Sequence, residues 1–153
     1  MGKIEQCIDD WHRYLRGELP GGLDALLADD VVFYSPIVFT PGAGKDTTKL
    51  YLRAAEATLG VESSKSDDEG SPRETTSKFR YSKQVLSGNH AILEFETEME
   101  GKYVNGVDII TCNDDARIIE FKVMIRPLQA VNLLHARMKE MLARMQANQT
   151  SSA

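Results

Sequence analysis

The strongest constraint on the fold is the alternation that runs from Phe79 to Ile125. Four stretches, FRYSKQVLS, AILEFETEM, YVNGVDIITC and RIIEFKVMI, are rich in β-branched and aromatic residues, and each has the length and composition of a strand. They are joined by GNH, EGK and NDDA, whose Gly, Asn and Asp suit tight turns. Strands connected this closely run antiparallel to their chain neighbours. The second half of the chain is therefore expected to be an antiparallel meander.

The first half reads differently. Ile4, Cys7, Ile8, Trp11 and Leu15 recur at helical spacing, so the chain opens on an amphipathic helix. GELPGG interrupts it, LDALLADD predicts a short second helix, and VVFYSP predicts a strand closed by Pro36. IVFTPGAGK reads as a loop, and Asp46 is placed to cap the helix TTKLYLRAAEATL. Residues 61–77 contain almost no large apolar side chain and predict a mobile loop with no part in the core. Pro127 opens a long C-terminal helix in which Leu128, Val131, His135, Met138, Leu142 and Met145 follow 3-4-3-4-3 spacing. A disordered tail is expected over 147–153. Helices and strands segregate along the chain, which argues for an α+β domain over 1–146 with helices on one face of a curved sheet.

Composition narrows the function classes. The chain has 153 residues, 42% hydrophobic and 27% charged, with a net charge of −5. An acidic balance of this kind disfavours nucleic acid or an anionic membrane as partner, and no apolar run reaches the length of a membrane span. The N-terminal stretch is charged and amphipathic, unlike a signal peptide. The two cysteines, Cys7 and Cys112, have neither metal-ligand spacing nor a disulfide framework, so a reduced, cytoplasmic setting is expected. No two histidines fall at ligand spacing with a carboxylate, and neither a metal nor a cofactor is expected.

One residue breaks the pattern of the third strand. Asp108 lies among Val107, Ile109 and Ile110, and a carboxylate in an apolar strand is costly unless paired, hydrogen-bonded or protonated. Two readings stay open: a structural carboxylate bonded to a neighbouring backbone or side chain, which pairing with Arg126 or Lys122 would favour, or a polar group lining a ligand pocket. The row Glu94, Glu96, Glu98 alternates with Leu93, Phe95, Thr97 and Met99, so it is expected to face away from the apolar side.

GGLDALLADDVVFYSP after an amphipathic helix, GK-D opening a third helix, and GVDIITCNDDARIIEFKVM together resemble the nuclear-transport-factor-2-like superfamily, with the SnoaL-like branch as the nearest match. The resemblance covers roughly Lys3 to Pro127. It implies a cone: a bent antiparallel sheet wrapped round N-terminal helices, an apolar pocket at the open end, dimerisation through the outer sheet face, and here an extra C-terminal helix. Among the ketosteroid isomerases of this superfamily, the acid that donates to the substrate oxyanion matches Asp108. The catalytic base, just before a proline on the first strand, matches Ser35, which cannot take up a carbon-bound proton. The helix-one tyrosine matches Trp11, with Tyr14 one turn further along. Against the epoxide hydrolases of the same fold, Val123 stands where a carboxylate should be. The resemblance thus implies an apolar ligand pocket around Trp11, Tyr14, Phe33, Ser35, Leu93, Phe95, Ile110, Phe121 and Val123, with Asp108 as candidate acid or hydrogen-bond donor. The functions it implies are binding of a small apolar molecule, with isomerase, cyclase or hydrolase chemistry, or a non-catalytic dimeric interaction module like nuclear transport factor 2.

Overall fold

A computed structural model describes residues 2–61 and 78–150, with side chains to Met145. Its elements are α1 (Lys3–Leu15), α2 (Leu23–Leu26), β1 (Leu27–Tyr34), β2 (Gly42–Ala43), α3 (Lys45–Leu59), β3 (Arg80–Ser87), β4 (His90–Met99), β5 (Lys102–Cys112), β6 (Ile118–Arg126) and α4 (Leu128–Thr150). The loop expected over 61–77 lies, after Val61, outside the described residues, as does the tail from 151; the α4 backbone continues through 147–150. Among the described residues no helix is long and apolar enough to cross a membrane.

The strands form one curved, open sheet in the order β2-β1-β6-β5-β4-β3. The meander β3 to β6 is antiparallel throughout, with Leu93 opposite Asp108 and Asp108 opposite Val123. The sheet as a whole is mixed, not antiparallel, because β1 pairs with β6 in parallel. These two strands are separated in the chain by β2, α3 and three strands of the meander, so no hairpin dictates their relative direction.

The helices fill the concave side. α1 buries Ile4, Cys7, Ile8 and Trp11, each large apolar side chain contributing about 1.5–3 kcal/mol when removed from water. The helix expected over LDALLADD shrinks to the single turn of α2, because Leu27 already pairs with Ile118 of β6 and β1 starts there. Asp46 does not cap α3. Gly44 holds the N-cap position at φ 96°, and Asp46 sits in the first turn, where its charge favours the helix dipole. The α4 stripe holds in its second half, where Met138 is buried and Leu142 and Met145 pack on the core, but not in its first: Ala130 and Leu134 are buried there, whereas Leu128 is 73% exposed and His135 is exposed. α4 packs against α3 and β6, and those neighbours select its buried face.

On the convex side Ile92 pairs with Ile109 and Val107 with Met124. Ile92 and Met124 are 43% and 52% exposed. Glu94, Glu96 and Glu98 share this outer face, as expected. Glu96 meets Arg80 and Tyr103, Glu98 meets Lys78, and Glu94 accepts from Asn105.

Candidate functional site

Alternation along β5 turns Val104, Gly106, Asp108, Ile110 and Cys112 inward. Asp108 is thereby 6% exposed, between Leu93 and Val123 in the sheet. Neither expected cation reaches it. Arg126 donates to Asn105 Oδ1 at 2.9 Å, and Lys122 lies near Glu120 and over the Tyr34 ring. The partner of Asp108 is instead Tyr81 on β3, whose hydroxyl donates to Asp108 Oδ2 at 2.6 Å. The Tyr81 oxygen in turn accepts from Trp11 Nε1 at 3.0 Å. Burial pushes the Asp108 carboxyl up to about 7, against the opposing effect of the Tyr81 bond. Burial and the adjacent Asp108 raise the Tyr81 phenol as well.

A second carboxyl group stands nearby on α3. Glu56 Oε2 accepts from the Tyr14 hydroxyl at 2.9 Å. Glu56 Oε1 is buried and has no hydrogen-bond partner, the one such side-chain atom among the described residues. Burial raises this carboxyl to about 7, with Tyr14 and Arg53 acting in the other direction. A buried acceptor left unmatched costs about 1–3 kcal/mol, so a site of this kind calls for an incoming donor.

Both carboxyl groups line one apolar cavity of ≈ 40 Å³, walled by Trp11, Leu15, Leu52, Phe79, Tyr81, Phe95, Phe121 and Val123 among others. Space of this size holds a few water molecules. A larger cleft of ≈ 500 Å³ adjoins it and shares Leu15, Glu56 and Val61 with the cavity. Chemically, an apolar chamber with two carboxyl groups near neutrality can supply both a proton donor and a proton acceptor at one pH. Among the described residues no group of three His, Cys, Asp or Glu side chains comes together to hold a metal ion.

The residues singled out in the sequence fall into three places. Asp108, Trp11, Phe95, Phe121 and Val123 line the cavity. Tyr14 lines the outer cleft and holds Glu56. Phe33, Leu93 and Ile110 are buried in the core without lining the cavity, Phe33 stacking on Tyr51 and Phe121. Ser35 is elsewhere: its Oγ accepts from the backbone of Ile37 and Val38 in a turn, beside a separate surface groove. Tyr81 and Glu56 enter the site without having been singled out in the sequence. Glu56 carries the same signal as Asp108, a carboxylate on an apolar face, since Leu52, Glu56 and Leu59 lie four and three residues apart on α3.

No protein-family model matches the sequence, and no curated protein does. Solved structures do. The chain is similar to a steroid delta-isomerase from Pseudomonas aeruginosa, with 28% identity and TM-score 0.78 over 96% of each chain. It is similar to a conserved bacterial protein with a cystatin-like fold from Silicibacter pomeroyi, with 26% identity and TM-score 0.70 over 88% of this chain and 83% of that one. An NTF-2-like protein of unknown function from Burkholderia xenovorans shares the fold at 15% identity and TM-score 0.53, over 80% and 82% of the two chains.

Proposed function

From the premise that this chain has the nuclear-transport-factor-2-like, SnoaL-like fold, we propose that it binds a small, largely apolar molecule in the cone and performs acid–base chemistry of the isomerase or cyclase type on it. The observation that carries this reading is the pair Asp108 and Glu56, two carboxyl groups raised to about 7 on the wall of one apolar cavity, with no salt bridge at either among the described residues. Perturbed carboxyl groups in an apolar cleft mark sites of proton transfer. The similarity to a steroid delta-isomerase agrees with it.

In this reading the inner cavity takes the reacting end of the ligand and the outer cleft its body. Ionised Glu56 takes a proton from a carbon next to a carbonyl: the C–H bond breaks, an O–H bond forms on Glu56, and the electron pair moves to the carbonyl oxygen. Neutral Asp108 donates a hydrogen bond to that oxygen, as a carboxylic acid can in an apolar site. Return of the proton to a different carbon completes an isomerisation. Glu56 thus fills the role that Ser35 cannot.

The test is proton exchange into a panel of enolisable cyclic ketones in deuterated water, followed by nuclear magnetic resonance. The wild type is expected to accelerate exchange with a bell-shaped pH profile near 7, and Glu56→Gln to lower the rate by about 100-fold or more. Equal rates for the two proteins would remove Glu56 from the chemistry. A wild type that exchanges none of the panel would favour the other reading, a non-catalytic dimeric interaction module. The observation on that side is the small size of the inner cavity, ≈ 40 Å³ between Phe79, Phe95 and Phe121.

Both readings include a homodimer through the outer sheet face, where Ile92, Val107, Ile109 and Met124 form an apolar centre. Sedimentation at micromolar concentration is expected to give a dimer, and Ile109→Lys a monomer, because it removes apolar area from the centre of the patch and sets a second positive charge directly opposite Lys122 on β6. A wild type that sediments only as monomer contradicts this.

A further inference from the structure

Resting on that reading of the cavity, we propose that the outer cleft receives the anionic end of an amphipathic ligand, with Arg53 as its counter-ion. The cleft, ≈ 500 Å³, opens beside the end of α1 and the outer face of α3, and Arg53 is the one cationic side chain on its wall among the described residues. Its volume falls in the range of small-molecule sites. Arg53 precedes Glu56 by three residues on α3, a spacing at which Arg and Glu commonly pair. They form no salt bridge here. Glu56 is held by Tyr14 instead, and Arg53, exposed, acts on Glu56 and Asp24 through its charge without a salt bridge or hydrogen bond to either among the described residues.

The result is a guanidinium in the field of Glu56 and Asp24 but bonded to neither, at the rim of a wall built from Leu15, Leu19 and Val61. A guanidinium recognises a carboxylate through two parallel N–H bonds and is weakly hydrated enough to do so beside apolar surface. Further in, Glu56 Oε1 waits for a donor. A small carboxylic acid with an apolar body and, a few bonds inward, a carbonyl whose neighbouring C–H faces Glu56 meets all three features. This is a narrower ligand class than a neutral apolar molecule.

Two fluorescent probes that differ in one group test the proposal: anilinonaphthalenesulfonate and phenylnaphthylamine, the same ring system without its sulfonate. At low salt the wild type is expected to bind the sulfonate about fivefold more tightly than the neutral compound, the upper range for one sheltered surface ion pair. Arg53→Gln, a change at an exposed helix position, is expected to erase that preference and leave the neutral probe unaffected, with Arg53→Lys keeping part of it. Ala57→Trp, which fills the cleft from its wall, is expected to weaken both probes. If Arg53→Gln leaves the sulfonate affinity unchanged, the anion sits elsewhere and the proposal fails while the cavity reading stands. It fails in the same way if neither probe responds to Ala57→Trp. If the wild type binds neither compound, the cavity reading fails and this proposal with it.

Discussion

Asp108→Asn is expected to be neutral to destabilising at pH 5 and stabilising at pH 8. Burial, only partly offset by the hydrogen bond from Tyr81, raises this carboxyl from 3.8 to about 7 in the folded protein. A group whose folded value lies above its unfolded value binds its proton more tightly on folding. Its contribution is therefore most favourable below about pH 4 and is lost as pH rises through about 7. A rise of this size corresponds to about 4 kcal/mol in all, of which about 3 kcal/mol falls between pH 5 and pH 8. The amide keeps the shape and can still accept from Tyr81, but it does not ionise. It adds N–H donors whose unmatched burial costs about 1–3 kcal/mol. The gap between variant and wild type should thus move by about 3 kcal/mol in favour of the variant from pH 5 to pH 8. Urea unfolding at the two pH values, followed through Trp11, measures it. Glu56 is displaced in the same direction, so the wild type itself should lose stability over this range and take up about two protons on folding near pH 6. A variant clearly less stable than wild type at pH 8 would make Asp108 a structural residue.

How far the site could be seen in the sequence depended on the kind of side chain. The meander was legible because period-two alternation and turn residues are local properties, fixed within each stretch such as AILEFETEM. Asp108 was legible for the same reason: a carboxylate among Val107, Ile109 and Ile110 is anomalous whatever surrounds it. Glu56 sat on an apolar stripe just as plainly, but helices carry exposed glutamates so often that its burial emerges only once Tyr14 covers it. Tyr81 was beyond reach. β3 and β5 are not neighbours in the sheet, and only side chains crossing the concave face bring the Tyr81 hydroxyl to Asp108. The start of β1 and the buried face in the first half of α4 differ from expectation because both answer to tertiary partners, Ile118 for Leu27 and the α3–β6 surface for α4. Ser35 matched a functional position by alignment, but its hydroxyl is occupied in its own turn.

Gly106→Ala is expected to destabilise the protein by about 3 kcal/mol, although removing a glycine from a strand interior ordinarily stabilises it by about 0.5–1 kcal/mol. Gly106 lies on β5 opposite Phe95 of β4 and Ile125 of β6. A Cβ built there would fall 2.7 Å from the Met124 carbonyl oxygen and 2.9 Å from Phe95 Cε1, with Phe95 Cζ nearer still. The carbonyl belongs to the ladder and cannot swing aside, and the ring is 1% exposed with Phe79 stacked on it at 5.1 Å between centroids. A glycine in a strand often marks such a close approach. Here it lets the Phe95 ring lie flat across the sheet, where it forms part of the cavity wall beside Tyr81 and Asp108. The added methyl would push the ring toward Tyr81, so the variant should also disturb the Trp11–Tyr81–Asp108 chain and alter Trp11 fluorescence. Phe95→Leu removes the ring but not the carbonyl clash, so Gly106→Ala should cost less on a Phe95→Leu background than in the wild type, a non-additivity expected of residues in contact. Urea unfolding of the four proteins decides the matter: a Gly106→Ala protein as stable as wild type would mean that Phe95 does not lie over this position and that the wall of the cavity is built otherwise.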